Sequence, residues 1–444
     1  MGDLQRVTRP PNRGLKLAAA RSSALLSLLF IVVYPLTNWI TSRRSDVGTW
    51  YFEWELGAPF VPLMVIPYLS IDLFFVPAPF LCGDRAELRT LARRITFGIL
   101  TAGAFFLLMP LELGFTRPHL EGWLGALYNP FVQADKPHNL FPSLHITLRT
   151  ILADLYTRHT RGASRALLHI WFSLVGLSTF LTYQHHLVDI AGGFLLAAFC
   201  FYLFPLAEYR SIVIPNRRAG TYYALAAMVV ALLGIPIWPW GSFLLWPAAG
   251  LAIMAAAYWR LGPGIFRKRD GVLPLSTLIV LGPVLLGQWL SLRFYRRRCR
   301  PWDVVTPGVW IGSKLSTREA RTAVQRGATA VLDLSGEFSE AAPFLKIRYL
   351  SLPILDLTAP SLKQLHTAVA YIEEHSRRSA VYVHCKIGFS RSAAVVGAYL
   401  LASGEARTSD EAVGMLRSVR PQIVVRPEIL AALNAFEKDL RRPA

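Results

Sequence analysis

The feature that most constrains this chain is a succession of apolar stretches, each near the ~20 residues a helix needs to cross the hydrocarbon of a bilayer. They lie at about 22–42, 57–81, 95–115, 142–157, 167–184, 187–207, 221–237, 242–259 and 272–292. Helices satisfy their own backbone in lipid, so nine such stretches predict a multi-pass helical domain. Composition agrees: 53% of the 444 residues are hydrophobic and 17% charged, with mean hydropathy +0.38. A formal charge of +19 suits nucleic acid or an anionic membrane. The apolar stretches decide for the membrane and exclude a nucleic-acid partner. The four cysteines, Cys82, Cys200, Cys299 and Cys385, are too few and scattered for a disulfide framework or a zinc site.

The first stretch ends in Asn38-Trp-Ile-Thr-Ser-Arg-Arg44 without a small-residue cleavage site, and further stretches follow, so it is not read as a signal peptide. The N-terminus and the connections near 83–94, 158–166, 208–219 and 260–271 carry 19 Lys and Arg; the opposite connections carry four. The positive-inside rule then places the N-terminus in the cytoplasm. From Arg300 onward the chain reads as a soluble domain, with 19 basic and 14 acidic residues. Four stretches lie between His185 and Arg300. If all cross, the C-terminal domain is expected on the non-cytoplasmic side. The arginines at 293, 296, 297, 298 and 300 argue the other way, and would be cytoplasmic if 272–292 were re-entrant.

The sharpest local signal is Val381-Tyr-Val-His-Cys-Lys-Ile-Gly-Phe-Ser-Arg-Ser392. A β-prone run enters a short loop, and a helix-prone segment leaves it. Backbone N–H groups in such a loop converge on an anion, aided by the helix dipole. The dipole and Arg391 would hold Cys385 as a thiolate. Arg391 can grip two phosphate oxygens with its planar fork, and Gly388 permits close backbone approach.

The stretch resembles the Cys-based protein tyrosine phosphatase superfamily, its dual-specificity branch most closely. The matched pattern is His384, Cys385, five residues, Arg391 and Ser392. The resemblance implies that Cys385 is the nucleophile, that Arg391 binds the phosphate, that Ser392 assists thiolate departure and that His384 tunes the cysteine. Lys386, Ile387, Gly388, Phe389 and Ser390 would form the phosphate-binding loop. Asp356, 29 residues before Cys385, would be the general acid and then the base for the hydrolytic water. Gly308–Ser313, Ala330–Leu334 and Val419-Arg-Pro421 resemble the family's entry strand, a central strand and its Arg-Pro turn. Lipid-directed members often carry Lys directly after the Cys, as Lys386 does, and a second basic residue three further on, where this chain has Phe389.

A second constellation lies in the apolar part: Phe141-Pro-Ser143-Leu-His145, and Ser178-Thr179 followed by His185 and Asp189. His185 could attack phosphorus with Asp189 orienting it, and His145 could protonate the leaving alkoxide. This resembles the type 2 phosphatidic acid phosphatase superfamily. Ser143 and His145 match its second motif, and Ser178, His185 and Asp189 its third. Arg117-Pro118 matches the end of its first motif. Two departures stand out: Thr179 replaces a phosphate-binding Arg, and Pro110 stands where a Lys is expected. A clamp short of two cations suits a phosphodiester better than a dianionic monoester. The Pro-Ser-Leu-His variant resembles the inositol phosphorylceramide synthase branch.

These readings predict a multi-pass α-helical membrane domain followed by an α/β dual-specificity phosphatase domain. The expected bounds are 1–94 for N-terminal spans, 95–207 for the phosphatidic acid phosphatase-like domain, 208–299 for further spans and a basic linker, and 300–444 for the phosphatase domain. The architecture resembles a bacterial fusion of the two enzymes, placing it in an inner membrane with the phosphatase domain periplasmic. The expected function is removal of phosphate from lipids or lipid head groups at the Cys site, with hydrolysis or transfer at the His site. A signalling phosphatase acting on proteins is the rival. Neither site calls for a metal or cofactor. Membrane lipids are the expected partners, and protein partners are left open.

Overall fold

The computed structural model describes residues 13–207, 209, 211–377 and 379–442. The tail at 1–12, with the expected cytoplasmic N-terminus, lies outside them. The chain divides into two compact units, Met1–Glu208 and Tyr209–Ala444. The division between them falls at Glu208. The helices of 209–299 share the second unit with the C-terminal α/β domain.

The first unit is helical: α1 (Arg13–Thr41), α2 (Val65–Leu69), α3 (Ile71–Phe75), α4 (Ala78–Leu81), α5 (Arg85–Leu108), α6 (Gly122–Ala134), α7 (Leu144–Arg158), α8 (Gly162–Leu181) and α9 (Leu187–Leu203). The stretch 57–81 is not one helix. Pro62, Pro67, Pro77 and Pro79 remove donors and disfavour helical backbone before them, leaving only short pieces. Helix α5 starts ten residues before the expected 95, because Asp84 caps it and accepts from the Ala86 and Glu87 amides at 2.9 and 2.8 Å. The core of this unit packs α1, α3, α5 and α7 through Leu26, Phe75, Ile95, Ile99, Phe106, Leu148 and Leu152.

The second unit opens with α10 (Arg217–Leu233), α11 (Leu245–Ala256), α12 (Leu275–Val280) and α13 (Gly282–Arg296). Among the described residues five helices are long and apolar enough to cross a membrane: Arg13–Thr41, Arg85–Leu108, Gly162–Leu181, Arg217–Ile237 and Trp240–Phe266. The expected span 272–292 is not among them. It breaks at Leu281-Gly282-Pro283 into α12 and α13. Both of its ends touch the C-terminal α/β domain. At one, the Leu273 amide donates to Ser339 Oγ at 3.0 Å; at the other, Gln288 Oε1 accepts from Lys386 Nζ at 2.8 Å and Arg296 Nη1 meets Glu319 at 3.0 Å. Its middle is elsewhere, since Trp246 Nε1 donates to the Ile279 carbonyl at 2.9 Å. Trp246 lies twelve residues, or ~18 Å of helix, before Tyr258, whose hydroxyl reaches the C-terminal α/β domain. The segment therefore goes out and comes back as a helical hairpin.

The C-terminal α/β domain follows: β1 (Trp302–Thr306), β2 (Val309–Ser313), α14 (Thr317–Gln325), β3 (Ala328–Asp333), β4 (Arg348–Ser351), α15 (Leu362–Ser376), β5 (Ala380–Cys385), α16 (Arg391–Ala402), α17 (Ser409–Val419) and α18 (Pro427–Leu440). The sheet order is β1-β2-β5-β3-β4. Only β1 runs antiparallel to its neighbour. Every residue of the central β5 is buried, as its apolar run Ala380-Val-Tyr-Val383 implies for a strand covered on both faces. Helices α15, α16 and α18 cover one face with Leu365, Ile372, Val395, Leu400, Leu433 and Phe436.

Candidate active site

Cys385 ends β5, and Arg391 opens α16. The carboxyl end of a central parallel strand is where α/β folds build sites, because loop and helix N-terminus meet there. The loop between them turns through Gly388 at φ +81°, where an added Cβ would strike the Gly312 carbonyl. The Gly388 amide points at Cys385 Sγ at 3.3 Å, and Ser392 Oγ lies 3.5 Å from the same sulfur. Neighbours brace the loop from outside. Lys314 N donates to the Lys386 carbonyl at 3.1 Å, and Val424 N to that of Phe389 at 3.0 Å. Arg420, of the Arg-Pro turn, donates to the Ile387 carbonyl at 3.0 Å while paired with Asp303 at 2.7 Å. Burial pushes the Cys385 thiol up, but the Arg391 guanidinium, Ser392 and the loop amides outweigh it, and the thiol is held below its ordinary value.

Arg391 is 1% exposed and is held before any substrate arrives. Glu337 takes its two terminal nitrogens at 2.6 and 3.1 Å, and the Ile354 carbonyl accepts from it at 2.9 Å. Asp356 faces the same pocket. Its carboxylate lies 3.0 Å from Lys386 Nζ and 3.8 Å from Arg391. Burial raises the Asp356 carboxyl, but Arg391 and Lys386 prevail and hold it down to about 2. Leu357, next along, adopts φ +63°, a left-handed conformation costing a branched residue about 1–2 kcal/mol.

Behind the loop sits a buried ionic network. His384 Nε2 lies 2.7 Å from Glu340 and 3.7 Å from Asp333. Lys268, from the connector between α11 and α12, pairs with Asp333 and donates to the Ser335 carbonyl at 3.0 Å. Asp333, Glu340 and His384 are grouped like metal ligands, and the Lys268 ammonium supplies the positive charge there. Burial lowers His384, but Glu340 and Asp333 overcome it and raise its proton affinity.

In the first unit the structure brings His145 and His185 to one cavity of about 420 Å³, also lined by Tyr34, Tyr68, Asp72, Phe131 and Asp135. The His145 ring stacks on Tyr68 with centroids 4.4 Å apart. His185 Nδ1 lies 3.6 Å from Asp189 Oδ2, whose oxygen also accepts from the His186 amide at 2.9 Å. His186 has a structural partner, Glu55, at 3.0 Å. Ser143 caps α7, accepting from the Ile146 amide at 3.2 Å. Arg117 is spent within the fold. It donates to the carbonyls of Asp135 and Tyr183 at 2.7 and 3.3 Å, and its Nη2 lies 3.7 Å from the Asp135 carboxylate.

Residues 309–439 match the family model of the dual specificity phosphatase catalytic domain. The chain is 34% identical over 137 residues to mouse dual specificity protein phosphatase 12, covering 30% of this chain and 40% of that protein. It is 36% identical over 96 residues to rat phosphatidylglycerophosphatase and protein-tyrosine phosphatase 1, covering 21% of this chain and 49% of that one. Against the human protein of the same name it is 37% identical over 174 residues, covering 36% of this chain and 86% of the relative. The chain belongs to the dual-specificity phosphatase family. It spans less than half the length of the mouse and rat relatives.

The dual-specificity phosphatase domain is a phosphoric monoester hydrolase, and its expected residues converge in space: Cys385, Arg391, Asp356, Lys386, Ser392 and the loop at 387–390. His384 lies behind the loop in the ionic network, not in the pocket. Three partners were missed. Glu337 and Glu340 stand in Gly336-Glu-Phe-Ser-Glu340, a loop with two carboxylates after β3; that spacing was the available signal. Lys268 carried none, because it meets Asp333 across 65 residues.

Proposed function

We propose that this chain is a multi-pass membrane enzyme whose dual-specificity phosphatase domain removes phosphate from lipid monoesters. One observation carries the reading. A helix of membrane-crossing length and apolarity in the second unit, Trp240–Phe266, touches the acid loop directly, Tyr258 reaching the Asp356 carbonyl at 2.9 Å, and Gln288 of the shorter α13 accepts from Lys386 at 2.8 Å. A soluble phosphoprotein would have to enter beside apolar helices, whereas a lipid is already there. The rat and human relatives, named phosphatidylglycerophosphatase and protein-tyrosine phosphatase 1, carry this substrate class in their name beside the protein substrate of the rival reading.

The chemistry follows from the geometry. The Cys385 thiolate attacks phosphorus, while Arg391 and the loop amides hold the non-bridging oxygens. An arriving phosphate draws Lys386 and Arg391 from Asp356 and adds negative charge beside it. Both changes raise the Asp356 carboxyl, which protonates the departing alkoxide. Water, deprotonated by the resulting Asp356 carboxylate, then hydrolyses the phosphocysteine. Phosphate leaves, and Ser392 donates to the returning thiolate.

The cavity lined by His145 and His185, with Asp189 behind His185, supports a second activity of the phosphatidic acid phosphatase type. His185 would attack and His145 protonate. Arg117 is neutralised by Asp135 and Thr179 offers no charge, which leaves Lys136 as the basic side chain lining the cavity, and one cation suits a phosphodiester monoanion better than a dianionic monoester. The α12–α13 hairpin also supports a revised topology. With 272–292 returning to its starting side, the phosphatase domain shares the face of the basic connections at 208–219 and 260–271. We therefore propose a cytoplasmic phosphatase domain in a bacterial inner membrane, in place of the periplasmic one expected from nine crossings.

The test is turnover of a panel of lipid phosphates and phosphopeptides by purified full-length protein, with Cys385→Ser and His185→Ala beside the wild type. Phosphate release from phosphatidylglycerophosphate or phosphatidic acid, lost in Cys385→Ser, is the expected result. Efficient turnover of phosphopeptides alone would overturn the lipid reading in favour of signalling.

A further inference from the structure

The acid loop of the phosphatase domain is held by side chains that do not belong to that domain. Asn216, the residue before α10, donates from Nδ2 to the Leu357 carbonyl at 2.8 Å. Tyr258, just past α11, donates its hydroxyl to the Asp356 carbonyl at 2.9 Å. The two are tied to each other, since the Asn216 amide donates to the Tyr258 carbonyl at 2.9 Å. Asn216 Oδ1 meanwhile caps α10 by accepting from the Ala219 amide at 3.0 Å. Tyr258 is 1% exposed, and Tyr223 of α10 stacks on it at 5.4 Å. Two consecutive carbonyls of a loop that contains the strained Leu357 are thus grasped from one rigid corner of the apolar helices.

We propose that Asn216 and Tyr258 are positioning residues for the general acid, so that the apolar helices complete the phosphatase site and without them Asp356 is misplaced. The inference deepens the reading of the Cys385 site and rests on it. Neither residue touches the phosphate. Each fixes a backbone carbonyl directly C-terminal to the Asp356 side chain, that of Asp356 itself and that of Leu357. Left-handed backbone at a leucine persists only where surrounding structure over-determines it, and these two hydrogen bonds supply that constraint. The hold acts on proton delivery and not on the thiolate, whose partners are Ser392 and Gly388.

The experiment uses full-length protein and a series of aryl phosphates running from nitrophenol to phenol as leaving group. Tyr258→Phe removes one hydroxyl. Asn216→Ser keeps a side-chain oxygen to cap α10 but is too short to reach Leu357. In both variants kcat for phenyl phosphate should fall roughly ten-fold, part of the 10²–10⁴ that a positioned acid contributes. Nitrophenyl phosphate should be almost unaffected, so the dependence of log kcat on leaving-group pKa steepens. KM and the rate of Cys385 alkylation by iodoacetate should not change. In an Asp356→Asn background the same substitutions should add nothing, because they act through the group already removed. Equal losses across the series, or no loss in either variant, would overturn the proposal while leaving the Cys385 reading in place. Retention of aryl phosphatase activity in Cys385→Ser would instead remove the reading on which it rests.

Discussion

Asp356 stands between Lys386 and Arg391 and is held ionised in the free site. It must be protonated to act, so activity requiring leaving-group protonation should fall as pH rises through the value the carboxyl takes with phosphate bound, which lies above the value of about 2 it has in the free site. Asp356→Asn should lose that alkaline limb and slow turnover of phenyl phosphate by roughly 10²–10⁴-fold, measured as pH profiles of kcat. Equal losses with nitrophenol as leaving group would show another residue to be the acid. Cys385→Ser should abolish aryl phosphate hydrolysis, while EDTA leaves the wild type active; restoration by a divalent metal after chelation would contradict a thiolate nucleophile. At this scale the sequence was most readable where spacing is local. His384 through Ser392 is one strand-loop-helix segment, and its chemistry can be read in order. Glu337 was not readable, because it reaches Arg391 across 54 residues and nothing in either segment names the other.

Two elements depart from what apolar length implies. The segment 272–292 satisfies every compositional requirement of a crossing, yet it folds at Leu281-Gly282-Pro283 and returns to the phosphatase domain. Hydropathy counts residues without knowing which ends are tethered, and here both ends are. Labelling Cys299, with the other three cysteines replaced, tests the outcome: a membrane-impermeant maleimide should react only after lysis of spheroplasts. Labelling of intact spheroplasts would restore the crossing. The connector before this hairpin sends Lys268 into the sheet, 2% exposed against a fully buried Asp333. Lys268→Met removes the ammonium paired with buried Asp333, leaving His384 at 3.7 Å as a remaining cationic partner, and should cost up to about 3 kcal/mol, read as a lower thermal midpoint in detergent. Adding Asp333→Asn should recover part of the loss. Single proline-rich stretches teach the same lesson: 57–81 is apolar enough to cross, but its prolines leave only short helices.

At the scale of the whole molecule the two constellations occupy separate compact units, so His145→Ala and His185→Ala should leave aryl phosphatase activity intact. If either silenced it in well-folded protein, the two-site reading would fail. The α/β order of the C-terminal domain was legible because its strands and loops carry their own punctuation. The allegiance of 209–296 was not, because hydropathy separates membrane-like from soluble segments and is silent on which soluble domain they grip. That grip has a kinetic consequence. A catalytic loop fastened by Asn216, Tyr258 and Gln288 to apolar helices cannot drift away between turnovers. On the proposed reading, enzyme and substrate share one sheet of lipid, and their encounter is a search in two dimensions. The rate should then follow the mole fraction of substrate within the sheet. Diluting it with neutral lipid should slow the enzyme even when its concentration in the test tube is unchanged.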